Sequence, residues 1–171
     1  LRMATTISNP PYNMKWQHPF FAQSQERFML GVPPQSNANY AFILTALSKQ
    51  DKAVFLLPNG VLTTNNKEEQ AIKKSLIEKN YLEAVISLPD RMFESTSIPT
   101  SLPIFNKKKQ TSNILMVNAS SLATEEVREQ RGQVGSKSHT NRVYKKKVNV
   151  LSDDAINKVM SLLDKPADEP G

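Results

Sequence analysis

The run Ala53-Val54-Phe55-Leu56-Leu57, stopped by Pro58-Asn59-Gly60, limits the possible folds more than any other stretch of the chain. Successive strand residues point to opposite faces, so an unbroken apolar run must be covered on both sides. Its neighbours supply covers. Tyr40, Ile43, Leu44 and Leu47 recur at helical spacing, with Ser36 as a candidate cap and Asp51-Lys52 closing the helix. Asn66, with Glu69 three residues on, opens a second helix that would bury Ala71, Ile72, Leu76 and Ile77. A second apolar strand over 82–88 ends at Pro89, and a short strand over 4–8 precedes both. Strand, helix, strand, helix, strand predicts a parallel sheet with helical crossovers.

Past Pro89 the signals weaken. Residues 101–105 read as an edge strand, because Pro103 has no N–H for a central ladder. Residues 114–118 form a further strand. Ser152 caps a last helix with Asp153 and Asp154 in its first turn and Ile156, Val159, Met160 and Leu163 on its apolar face. Three segments follow: 1–118 as the main domain, 119–149 as a basic mobile connection, and 150–171 as a helix with a tail fraying from Pro166. The segment 107–149 holds ten Lys or Arg against three acidic residues, a local excess larger than the net charge of +6 of the whole chain. That excess permits a polyanion partner, while a solvated lysine-rich loop is the plainer reading. Cysteine is absent, His18 and His139 stand alone, and no apolar run is long enough to span a bilayer. Neither a metal site nor a membrane segment is expected.

The chemistry concentrates behind the first strand, at Asn9-Pro10-Pro11-Tyr12. Neither proline can donate to a ladder, and each holds the residue before it extended. The carbonyls of Asn9 and Pro10 are thereby aimed, with an amide before them and an aromatic ring after. The following connection over 13–35, with Trp16, Phe20, Phe21 and Phe28, is too aromatic for a plain linker and reads as a binding loop.

With these residues, Gly31-Val32-Pro33-Pro34-Gln35-Ser36-Asn37-Ala38-Asn39-Tyr40-Ala41-Phe42 resembles a block of the modification subunits of type I restriction–modification systems. Lys15-Trp16, Leu57-Pro58-Asn59-Gly60-Val61-Leu62 and Ile98-Pro99-Thr100 fit the same family in order, over roughly residues 7–118. The resemblance implies an α/β fold: part of a Rossmann-like class I methyltransferase sheet, mostly parallel with an antiparallel edge strand, plus a C-terminal helix. It implies methyl transfer from S-adenosylmethionine to adenine N6 in DNA, in a prokaryotic cytoplasm, alongside specificity and restriction subunits. Asn9 and Pro10 would accept hydrogen bonds from the adenine amino group, Pro11 would set the turn, and Tyr12 would stack on a flipped base. Lys15, Trp16, Asn37, Asn39 and Thr100 are candidate substrate contacts. Lys107, Lys108 and Lys109, with Lys145–Lys147, are candidate phosphate contacts.

The chain also departs from that family. Asn39 stands where Asp is usual, and Pro103 interrupts a segment that is normally a clean strand. The glycines at 31, 60, 132, 135 and 171 form no Gly-x-Gly, so the main cofactor loop is absent from this sequence. The expectation is the catalytic-motif half of such a subunit, inactive by itself. A non-catalytic assembly or DNA-binding remnant, and an amino methyltransferase acting on RNA or protein, stay open as alternatives.

Overall fold

The computed structural model of the chain describes residues 4–93, 96–131 and 143–165. The expected fraying tail from Pro166 and the glycines of the basic connection lie outside them. The chain divides into two units, one comprising Leu1–Leu88 with Thr100–Asn118 and the other Pro89–Pro99 with Ala119–Gly171.

The first unit is a mixed sheet with helical crossovers. Its strands are β1 (Thr5–Ser8), β2 (Lys52–Phe55), β3 (Leu57–Pro58), β4 (Leu82–Ser87), β5 (Thr100–Asn106) and β6 (Leu115–Asn118). They lie in the order β1-β2-β5-β4-β6, with β3 also against β5. β1 runs parallel to β2 and β4 parallel to β6, while β5 is antiparallel to both β2 and β4. The antiparallel strand is therefore interior, not the edge strand the sequence predicted. The register explains how Pro103 is accommodated. β2 pairs with β5 at 104–106 and β3 pairs with it at 100–101, so on that side Pro103 falls in the gap between two partners. A residue without an N–H costs least where no ladder bond is due.

Helix α1 (Asn39–Lys49) connects β1 to β2, and α2 (Lys67–Glu78) precedes β4. Tyr40, Ile43, Leu44 and Leu47 are buried, as their spacing predicts, and join Phe55, Leu57, Ile72, Leu76 and Phe105 in the core. α1 starts three residues after Ser36, which does not cap it; Asn37 Oδ1 instead accepts from the Asn39 N–H at 3.2 Å. α2 begins as expected, with Asn66 Oδ1 accepting from the Glu69 N–H at 3.0 Å. Ala71 and Ile77 of α2 are exposed rather than buried.

The second unit contains an antiparallel ribbon of β7 (Ala123–Arg131) and β8 (Val143–Leu151), followed by α3 (Asp153–Asp164). Ser152 Oγ caps α3, accepting from the Ala155 N–H at 3.2 Å, and Ala155 and Val159 are buried. The ribbon occupies much of what the sequence presents as an unstructured basic connection. Its charges conceal it: residues 125–129 and 145–147 lack apolar alternation, but Glu129 sits opposite Lys145, and Glu125 pairs with Lys147 at 3.1 Å. Cross-strand opposite charges support the ribbon, and Val148 of β8 is buried.

Candidate active site at the end of the first strand

β1 ends where its prolines require. The Ser8 carbonyl accepts from the Leu56 N–H at 2.9 Å, the last bond before Asn9. Pro10 is buried, which anchors the turn, while Asn9 and Pro11 are exposed. The Tyr12 hydroxyl donates to Asn9 Oδ1 at 3.2 Å. Burial pushes the Tyr12 phenol above its usual range, so it keeps this proton at neutral pH. An amide oxygen has two lone pairs. One is held by Tyr12, which fixes the amide's direction, and the other remains for a donor arriving from solvent.

The chain after Tyr12 is clamped. Asn13 has φ 52°, left-handed and unfavourable for most residues but tolerated by Asn. Its N–H donates to Asn39 Oδ1 at 3.1 Å, and Asn39 Nδ2 donates back to Asn13 Oδ1 at 3.0 Å. Further along, the Ala38 N–H donates to the Met14 carbonyl at 2.8 Å and the Trp16 N–H to the Gln35 carbonyl at 3.1 Å. The aromatic loop and the Gly31–Phe42 block are thus laced together, beginning at the residue after the motif.

Trp16 belongs to that lacing. Its Nε1–H donates to the Pro34 carbonyl at 2.7 Å, and its ring lies 5.7 Å from Phe28 and 5.1 Å from His18. His18 Nε2 must carry a proton, since its partner at 2.7 Å is the Pro33 carbonyl. Trp16 also lines a cavity of about 520 Å³ with Ser8, Phe42, Thr45 and Phe55, and none of Asn9–Tyr12 faces it. Lys15 is exposed.

The other sequence candidates lie elsewhere in the first unit. Asn39 is 2% exposed, and Asn37 Nδ2 donates to Glu69 Oε1. Thr100 is fully buried at the start of β5, its hydroxyl without a partner among the described residues. The lysine triplet staples the first unit together. Lys107 Nζ donates to the Leu47 carbonyl at 2.8 Å, Lys108 Nζ pairs with Asp51 at 3.0 Å, and Lys109 Nζ donates to the Leu82 carbonyl at 2.9 Å. Leu47 is in the last turn of α1, where carbonyls lack helical partners and a cation complements the dipole. These amines are held by the protein's own carbonyls and carboxylate. Lys107→Met should therefore lower stability by about 1 kcal/mol and leave the salt dependence of any DNA binding unchanged. Denaturant titration and a salt series of binding isotherms check both. In the ribbon, Lys145 and Lys147 share one face and Lys146 lies on the other, so that triplet forms no single stripe.

Sequence reasoning missed Glu69 and Asn13. Glu69 was legible only as half of a capping box, yet its carboxylate reaches Asn37 rather than returning to the Asn66 N–H. Asn13 carried no signal of its own.

A profile of the N-6 DNA methylase family matches residues 2–161. The methylase subunit of the Haemophilus influenzae type I restriction enzyme HindI is 31% identical over 123 residues, covering 69% of this chain and 28% of the relative. The MpnII methylase subunit of Mycoplasma pneumoniae is 36% identical over 110 residues, covering 60% of this chain and 20% of the relative. The chain thus spans about a quarter of the length of the curated relatives it matches. Among solved structures, the methyltransferase subunit of a type I restriction–modification system from Streptococcus thermophilus superposes with a TM-score of 0.78 at 26% identity, over 96% of this chain and 32% of that one. A class I S-adenosylmethionine-dependent methyltransferase from Listeria monocytogenes shares the fold, with a TM-score of 0.57 at 18% identity over 94% of this chain and 42% of that one. The profile match over residues 2–161, the similarity to the HindI methylase subunit and the shared fold converge on one assignment: the chain belongs to the N-6 DNA methylase family.

Proposed function

We propose that this chain supplies the base-holding part of a methylase subunit of a type I restriction–modification system, which transfers a methyl group from S-adenosylmethionine to adenine N6 in DNA. The observation that carries this is Asn9 Oδ1, exposed at the end of a parallel strand and held in direction by Tyr12. The adenine amino nitrogen is a weak nucleophile because its lone pair is delocalised into the ring. Two acceptors, Asn9 Oδ1 and the Pro10 carbonyl, would bind its hydrogens and favour a pyramidal nitrogen whose lone pair is free to attack. Tyr12 would stack on the base, worth about 1–3 kcal/mol, after the adenine leaves the duplex. The specificity and restriction subunits of such a system would be the partners, within the cytoplasm of a prokaryote.

S-adenosylmethionine would supply an electrophilic methyl group. The described residues include no glycine-rich loop that would seat it. Gly31 faces the Ile72 side chain, and Gly60 stands in open space within a short 3-10 turn. Neither makes the glycine-rich strand-to-helix loop that lets a backbone approach such a cofactor, so no donor-binding step is derived from this chain. Calorimetric titration of the chain with S-adenosylmethionine is expected to give no binding heat, and a saturable micromolar isotherm would contradict this.

The function is tested by combining the chain with the remaining part of a methylase subunit and its specificity subunit. Transfer of labelled methyl to adenine-containing DNA is the expected result. Labelling of RNA or protein instead, or of nothing, would refute it.

A further inference from the structure

We infer that Glu69, acting through Asn37 and Asn39, is a positioning residue for the Asn9–Tyr12 turn; this rests on the function proposed above. Glu69 Oε1 accepts from Asn37 Nδ2, and Asn37 Oδ1 accepts from the Asn39 N–H at 3.2 Å. Asn39 closes the relay with its reciprocal pair to Asn13, at 3.1 and 3.0 Å. Asn13 is covalently next to Tyr12, whose hydroxyl holds Asn9 Oδ1. A carboxylate in the first turn of α2 is thus connected, bond by bond, to the acceptor that would receive the adenine amino group.

Three features make this more than loop packing. Glu69 and Asn39 are each 2% exposed, so water cannot replace a lost partner, and each broken bond leaves a buried polar group unsatisfied. The relay ends on a residue at φ 52°, a conformation that needs external support to persist. Its other end is itself fixed, because the Glu69 N–H is held by Asn66 Oδ1 at 3.0 Å in the first turn of α2. Asn37 and Asn39 are both engaged within this relay.

The test reads the clamp directly, by amide hydrogen exchange at Asn13 in this chain. Asn39→Ala, which loses both reciprocal bonds, should speed exchange about tenfold or more, and Glu69→Ala about three- to tenfold. Glu69→Gln keeps an acceptor for Asn37 and should return the rate to near wild type. Ile86→Val, in a buried strand distant in sequence, lowers global stability and should leave Asn13 unchanged relative to wild type. An Asn13 rate unaffected by Glu69→Ala would overturn the relay, whatever the activity. In the complete methylase subunit carrying these residues, Glu69→Ala should lower kcat while the KM for DNA stays within about twofold, with Glu69→Gln restoring it. An equal kcat loss in Ile86→Val would overturn the positioning role. If exchange behaves as expected while the wild-type subunit methylates no adenine, the clamp stands and the proposed function falls.

Discussion

In the complete methylase subunit, replacing Asn9 by Ala is expected to reduce methyl transfer to adenine by about 10²–10³-fold, the effect seen when one preorganised polar group facing a developing charge is removed. The side chain is exposed and its single described bond is to the Tyr12 hydroxyl. Truncation should therefore change stability by less than about 0.5 kcal/mol. The two readouts separate chemistry from folding. Asn9→Asp keeps an oxygen in the same place and should retain more activity than Asn9→Ala. Tyr12→Phe tests the other half of the pair: it keeps the stacking ring and loses only the donor that aims Asn9 Oδ1. It should lower activity less than Asn9→Ala and leave base affinity nearly intact. Single-turnover labelling of a duplex with one target adenine measures all three variants. An Asn9→Ala enzyme with wild-type kcat would remove the acceptor role and the proposed function with it.

The residues whose roles were legible in sequence are those that act through the backbone or through period. Two prolines behind a strand forbid continuation of the ladder, and β1 stops at Ser8 for that reason. The four apolar positions of α1 are buried because helical spacing leaves them one common face. Legibility failed where a residue's role depends on a partner far along the chain. Pro103 looked like an edge marker because sequence cannot show that β2 and β3 hand over beside it. Lys107–Lys109 looked like a basic patch because carbonyl partners at Leu47 and Leu82 carry no sequence signature. The sequence likewise carries no sign that the amides of Asn37 and Asn39 bond Glu69 and Asn13. Polar side chains are ambiguous in sequence, since the same group serves a ligand or the protein's own backbone, and only the fold decides which.

Gly31→Ala is expected to be strongly destabilising, and its cost has two separable parts. At φ 134° the backbone is in a region that L side chains rarely adopt, and a Cβ there would lie 2.8 Å from Ile72 Cγ1. Ile72 is fully buried, so it cannot swing into solvent to make room. Strain at such a φ costs about 1–3 kcal/mol, and overpacking a tight core adds about 1–3 kcal/mol. The sum is a large share of the stability of a domain this size. A double-mutant cycle separates them. Ile72→Ala alone should cost about 2–5 kcal/mol through the cavity it leaves. Combined with Gly31→Ala it removes the clash but not the strain, so the double variant should be less destabilised than the sum of the singles by the overpacking part. Strict additivity in urea unfolding would mean that the clash is relieved elsewhere and that backbone strain alone carries the cost. The same variant bears on the site, because Gly31 opens the block that holds Asn37 and Asn39. Where Gly31→Ala still folds, amide exchange at Asn13 should rise, since a displaced block loosens the clamp behind Tyr12.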